Sequence, residues 1–155
     1  LIRREKMELV LQKASELGVA RIVLFESSRC VVHAKKEKTE RYQSIVRQAA
    51  AQCKRNRIPE IIETVPLAKL LHFKSACNLI PYEGEAGKGI PLLNALQGTS
   101  VTVVIGPEGG FCPAEVEYLS AAGFQPVSLG ERILRAETAC FYVCSVAGAW
   151  SEAGR

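Results

Sequence analysis

Aspartate is missing from this chain of 155 residues, and methionine and tryptophan occur once each. Without aspartate, an aspartate-built calcium loop and a Walker-B metal site are excluded, and glutamate is the only side-chain carboxylate. Histidine occurs only at His33 and His72. The six cysteines (Cys30, Cys53, Cys77, Cys112, Cys140 and Cys144) include no C-x-x-C pair. That pattern argues against a zinc site and for free thiols in a reducing, cytoplasmic compartment. No apolar run approaches the roughly 18 residues of a membrane span, and no signal-peptide pattern opens the chain. The first residue is Leu1, so the chain is expected to begin inside a longer protein. Its length suits one domain with a core that needs no disulfide staples.

Charge is unevenly spread. Residues 1–75 hold sixteen Lys/Arg against eight Glu, for +8, whereas residues 76–155 hold four against eight, for −4. Such asymmetry suggests a polyanion-facing half and a catalytic or assembly half, with a solvated surface as the plain alternative.

The apolar pattern alternates between helix and strand periods. Residues 5–17 carry Met7, Val10, Leu11, Ala14 and Leu17 at helical spacing, and Gly18 supplies a stop. Residues 20–25 read as a strand and 26–38 as a basic loop. Thr39 suits the N-cap of a helix reaching about Lys54, and Pro59 bars its continuation. A short helix over 66–71, a strand over 75–80, a flexible loop over 84–89 and a short helix over 91–96 follow. Then come strand 100–105, helix 113–122, strand 126–129 and helix 136–152, with Pro113 in a first helical turn. Strands alternating with helices predict an α/β fold, a mostly parallel sheet with helices on both faces.

Two segments carry the chemistry. The first, Ile105-Gly106-Pro107-Glu108-Gly109-Gly110-Phe111, closes the apolar run 100–105, which is too continuous for a half-exposed strand and reads as buried on both faces. The second, residues 129–139, leaves a short strand through Gly130 and enters the last helix. In open parallel sheets, ligands bind at the carboxyl ends of strands. Neither segment is a P-loop or a dinucleotide fingerprint, so phosphate is not the expected ligand. Glycine turns instead expose backbone N–H and C=O groups to the edge of a planar heterocycle. Arg135, between Leu134 and Ala136, looks placed to meet an anion or a carbonyl. Glu137 falls in a first helical turn, where the helix dipole favours an acid. Cys140 and Cys144, four apart on a helix, fit core packing better than chemistry. The helix from Thr39 aligns Arg41, Ser44, Gln48, Gln52 and Arg55 in a polar stripe, which suits either solvent or RNA.

Several stretches together resemble one known family. Residues 12–19, Gln-Lys-Ala-x-Glu-Leu-Gly-Val, the pair Ser28-Arg29, the helix Gln48–Arg55 closing near Pro59, and the segments 105–111 and 129–139 occur in the family's order across nearly the whole chain. They are similar to the RsmE family of SPOUT-class methyltransferases, which act on N3 of a uridine in small-subunit ribosomal RNA. The resemblance implies a deep trefoil knot at the C-terminus, an exception to ordinary chain topology. It also implies S-adenosylmethionine as cofactor and a homodimer with its active site near the subunit interface. Family members carry a PUA-like RNA-binding domain and a first strand ahead of the helix placed at 5–17. Neither falls within these residues, so the chain is expected to be an N-terminally truncated catalytic domain.

By the same resemblance the cofactor would be held around Leu79, Ile80 and Pro81, by Ile105, Gly106, Pro107, Glu108, Gly109 and Gly110, and by Leu129, Gly130, Ile133, Leu134, Arg135, Thr138 and Ala139. Arg135 would stabilise the anion that develops on the uracil, with Arg29 as a second candidate, and Glu137 would orient Arg135 or act as base. RNA contacts are expected from Arg29, Lys35, Lys36, Lys38, Arg41, Arg55 and Arg57, and no metal is expected. A SPOUT methyltransferase acting on tRNA and a catalytically silent RNA-binding module are the alternatives.

Overall fold

The computed structural model describes residues 4–30 and 39–154. Helix α1 (Arg4–Glu16) buries Met7, Val10, Leu11 and Ala14, one stripe at i, i+3, i+4, i+7. It stops where Gly18 turns left-handed at φ 91°, and the Val19 amide returns to the Ala14 carbonyl. Strand β1 (Arg21–Glu26) then pairs in parallel with β2 (Glu60–Pro66), with Arg21 opposite Glu60 and Val23 opposite Ile62. Helix α2 (Thr39–Gln52), packed on α1, lies in the crossover between these strands, as a parallel pair requires.

The second sheet has the order β4-β3-β5, with β3 (Cys77–Pro81) central, β4 (Val101–Val103) on one side and β5 (Gln125–Val127) on the other. Both pairings are parallel: Leu79 stands opposite Val103 and opposite Gln125. Helix α3 (Leu92–Ala95) precedes β4, α4 (Pro113–Ala121) links β4 to β5, and α5 (Ala136–Ala153) closes the chain.

Strand residues alternate between cores, as the two-residue period demands. In β1, Leu24 joins a cluster with α1, α2 and Ala136, whereas Phe25 joins a second cluster with Ile80, Val104, Leu119 and Phe124. In β3, Cys77 and Leu79 face a third cluster with Leu92, Val127 and Val143, to which Val146, Ala147 and Trp150 of α5 add. Cys140 and Phe141, further up α5, pack on the first cluster instead. Burial pushes the Cys140 thiol up to about 12 and that of Cys144 to about 11, so both are inert packing groups. All six cysteines are free.

The parallel α/β expectation holds, with three corrections. Among the described residues the strands form two hydrogen-bonded sheets rather than one. The sequence reading has no strand at β2. Its half-buried residues come in pairs (Ile61-Ile62, Thr64-Val65) rather than alternating, so the period was hidden, although the β-branched run between Pro59 and Pro66 was a usable sign. The run 100–105 is also not buried on both faces. Val101–Val103 forms a half-buried edge strand, and only Val104 beyond it is buried.

Leu11 is fully buried at the α1–α2–β1 contact. Leu11→Ala should therefore lower unfolding free energy by about 2–5 kcal/mol, read from urea denaturation. A loss well under 1 kcal/mol would contradict this packing.

Candidate functional site

Parallel pairing brings the carboxyl ends of β3, β4 and β5 to one edge, and a cavity of about 570 Å³ opens there. That volume lies within the roughly 300–1,000 Å³ usual for small-molecule sites. Pro81, Tyr82, Glu83 and Ala86 form the wall beyond β3, and residues 105–111 form the wall beyond β4. Leu129, Gly130 and residues 132–136 form the third, closed by Ala139 of α5 and Lys6 of α1.

Close approach shapes the middle wall. A Cβ on Gly106 would lie 3.1 Å from the Phe111 ring, which is buried and stacks on Phe25 with centroids 6.3 Å apart. Gly110 is left-handed at φ 67°, and its amide donates to the Pro107 carbonyl at 2.9 Å. In the third wall the buried Ser128 pairs through both backbone groups with the 90–92 segment. The Gly130 carbonyl accepts from the Gly87 amide at 3.2 Å.

Electrostatics enter through α1. The Lys6 Nζ lies 3.2 Å from Glu108 and 3.0 Å from Glu137, bridging the second and third walls. Those hydrogen bonds raise the ammonium pKa. Burial pushes the Glu137 carboxyl up, but the backbone N–H at the start of α5 and Lys6 outweigh it, so the group sits below its ordinary value. The other oxygen of Glu137, Oε2, is buried with no hydrogen-bond partner among the described residues.

Of the expected cofactor residues, Pro81, Ile105, Gly106, Pro107, Glu108, Gly109, Gly110, Leu129, Gly130, Ile133, Leu134, Arg135 and Ala139 line the cavity. Leu79 and Ile80 do not: they are 1% and 0% exposed, filling two different cores behind the wall. Thr138 is exposed on α5 and outside the lining. Glu137 pairs with Lys6 rather than with Arg135, which attracts it only at longer range. Arg29 lies beside the middle wall, its Nη1 3.4 Å from the Gly109 and Phe111 carbonyls.

The expected RNA-contacting residues separate. Lys35, Lys36 and Lys38 lie outside the described residues. Arg57 is exposed. Arg41 is exposed but forms a two-pronged pair with Glu8 at 2.5 and 2.6 Å. Arg55 is turned inward: it donates to the carbonyls of Ser15 at 2.6 Å, Val19 at 2.9 Å and Gly18 at 3.3 Å, closing the C-terminus of α1. Sequence reasoning missed Lys6, Tyr82, Glu83 and Ala86. The last three continue the strand-end rule just past Pro81, whereas Lys6 carried no local signal, because its partners lie over 100 residues away. Among the described residues no group of three His, Cys or Glu could hold a metal ion, and no helix is long and apolar enough to cross a membrane.

Three irregular turns at parallel strand ends surround one cavity lined by apolar groups, carboxylates and arginines, in an α/β domain with a small-molecule-sized site. A family model described as an RNA methyltransferase domain matches residues 1–148, and the chain belongs to that family. It is 34% identical to ribosomal RNA small subunit methyltransferase E of Bacillus subtilis, over 94% of this chain and 61% of the relative. The Mycobacterium bovis protein of the same name is 33% identical, over 96% and 60%. The chain thus spans about three fifths of the length of these curated relatives. Among solved structures, methyltransferase E of Neisseria gonorrhoeae bound to S-adenosyl methionine superposes with a TM-score of 0.85 at 32% identity, covering 96% of this chain and 62% of that one. A putative methyltransferase of Legionella pneumophila in complex with the same cofactor gives 0.84 at 38% identity, covering 96% and 63%.

Two outcomes follow from this geometry. Arg55→Ala should cost about 1–3 kcal/mol of stability through its lost carbonyl bonds and leave the salt dependence of RNA binding unchanged; a flatter slope would return Arg55 to the RNA face. The Glu137 contribution is complete above the ordinary carboxylate value of 4.5 and is lost as pH falls through its lower folded value. Lys6→Met should therefore shrink the loss of stability on acidification below that value, measured by denaturation at neutral and acid pH. An equal loss in both proteins would contradict the pairing.

Proposed function

We propose that this domain binds S-adenosylmethionine in the strand-end cavity and transfers its methyl group to N3 of a uridine in small-subunit ribosomal RNA. The observation that carries this reading is the single cavity bounded by all three strand-end turns, in a chain of the RNA methyltransferase domain family. The residues fit the cofactor. Pro81, Ile105, Leu129, Leu134 and Ala139 offer apolar surface, and the glycine turns offer backbone groups to an adenine edge. Glu83, Glu108 and Arg132 complement an amino-acid zwitterion and a sulfonium. The relatives bound to this cofactor add support. Bound there, it supplies an electrophilic methyl group.

The chain's own residues supply the rest. Uracil N3 becomes nucleophilic only as its imide proton passes to solvent water, and the charge then spreads to O2 and O4 until N3 takes the methyl group. Holding the two reactants in line supplies up to about 7–11 kcal/mol of the barrier. Arg135, exposed at the cavity wall on the N-cap of α5, is the group we assign to the developing anion. Glu137 is held ionised by Lys6 below its ordinary pKa, which makes it a poor proton acceptor near neutrality and a support for the wall instead.

Two structural expectations join this reading. Residues 125–127 pair with β3, and residues 128–130, next along the chain, hydrogen-bond to the 87–92 segment of the β3–β4 connection, which supports a chain threaded through that connection as a trefoil knot. Ile133, 76% exposed in the cavity lining, and Tyr142, 43% exposed on α5, support a homodimer that covers them. Six free thiols suit a reducing, cytoplasmic setting.

Arg135→Ala should abolish methyl transfer to ribosomal RNA while cofactor affinity by calorimetry stays within about threefold. Wild-type turnover would remove Arg135 from the chemistry. Mapping the unmethylated nucleotide in RNA from cells lacking the gene decides the substrate: loss of a tRNA methyl instead, or of none, overturns the ribosomal reading.

A further inference from the structure

The Ser27–Cys30 turn and the 106–112 turn are some 80 residues apart in sequence, yet one carboxylate joins them. Glu115, in the first turn of α4 and 8% exposed, accepts the Ser28 amide on Oε1 at 2.8 Å and the Cys112 amide on Oε2 at 2.9 Å. The second bond is half of an ordinary capping box. The first is not, because Ser28 belongs to the loop after β1, and a helix cap gains nothing by holding it. The result is seen one residue on. Arg29 lies along the glycine turn, its Nη1 within 3.4 Å of the Gly109 and Phe111 carbonyls. A Cβ on Gly109 would stand 3.1 Å from the Arg29 carbonyl oxygen and 3.2 Å from its Cβ. The two backbones therefore touch, and glycine is what lets them. Burial pushes the Glu115 carboxyl up, but the two amides outweigh it, so it stays charged and accepts from both.

We propose that Glu115 is a positioning residue: by holding the Ser28 amide it docks Arg29, at the head of the basic loop, on the rim of the cofactor cavity where the RNA strand enters. This rests on the methyl transfer proposed above and deepens it, since it names what fixes the RNA-facing arginine relative to the cofactor wall. Both amide bonds converge on a single side chain, and the other links across this contact are longer, Ser28 Oγ to Cys112 Sγ at 3.7 Å and Arg29 Nη1 to the two carbonyls at 3.4 Å, so the amide link can be released selectively.

Glu115→Gln provides that release. Glutamine serves a capping box as well as glutamate, but it has one acceptor oxygen, and its NH₂ cannot accept a second amide. One of the two amide bonds is lost while shape and burial remain. Three measurements on the protein read the effect. Hydrogen exchange at the amides of 28–30 should rise by about tenfold or more in E115Q. The kcat/KM for RNA should fall by about tenfold while cofactor Kd stays within about threefold, the split expected of lost substrate positioning. In a double-mutant cycle with Arg29→Ala, the combined loss should not exceed the larger single loss by more than about twofold. Multiplicative losses, unchanged exchange at 28–30, or full RNA turnover in E115Q would each overturn the proposal. If the unmodified protein methylates no RNA, the functional reading fails, and the exchange data alone decide whether the clamp exists.

Discussion

Because β3 pairs in parallel with both β4 and β5, three chain segments must leave the sheet at the same edge and turn away within a few residues of one another. That constraint generates the site. The turns are irregular because they are crowded: Gly106 lies against the Phe111 ring, Gly110 against Glu83, and residues 128–130 are fastened to 87–92. Side chains larger than hydrogen would push these walls apart. The cavity is thus the space left when three short strands end together, and its donors and acceptors are largely backbone groups that had no ladder to join.

What fixes the walls relative to the rest of the molecule comes from elsewhere in the chain. Lys6 reaches from α1 to both Glu108 and Glu137, and Phe111 stacks on Phe25 of β1. Helix α5 packs its first half on α1 and its second half on the β3 sheet. Each link ties the β1–β2 half to the β3–β5 half. The two hydrogen-bonded sheets behave as one frame because side chains rather than strands join them. Displacement of α1 would be felt at the cavity through an ion bridge that is partly shielded from water, where charge pairs hold best.

Much of this was legible in the sequence. The strand-end turns at 105–111 and 129–139 could be read as a ligand site because glycine and proline interrupt apolar runs there, a purely local signal. Helices α1, α2, α4 and α5 were legible for the same reason: their apolar period is local. What was not legible was register and partnership. Leu79 and Ile80 belong to a strand at the site, but whether a strand residue faces cavity or core depends on which helices cover it. Glu137 was visible as a first-turn acid; that Lys6 rather than Arg135 holds it depends on where α1 crosses α5. Glu115 drew no reading from the sequence, because one of the two amides it accepts lies in a loop 87 residues away. The resemblance to RsmE supplied the family, which the matched residues 1–148 bear out; physical reading alone had stopped at a small-molecule site.

The basic half of the chain also changes meaning in three dimensions. Its excess of +8 suggested a surface offered to a polyanion, yet several of those cations are engaged within the protein. Lys6 holds two glutamates, Lys13 holds Glu16, Arg21 pairs with Glu60, and Arg55 is folded onto carbonyls. These engagements are not equal. Arg55 sits among carbonyls that no phosphate can replace, so it is lost to RNA. Arg41 is 54% exposed and pairs with the half-buried Glu8, so its outer side stays open to a phosphate. In the proposed function, the charge offered to RNA would be set by which pairs are exposed rather than by the count of basic residues. Arg29 is braced on the glycine turn through the Gly109 and Phe111 carbonyls, at the place where RNA and cofactor would meet in the proposed reaction.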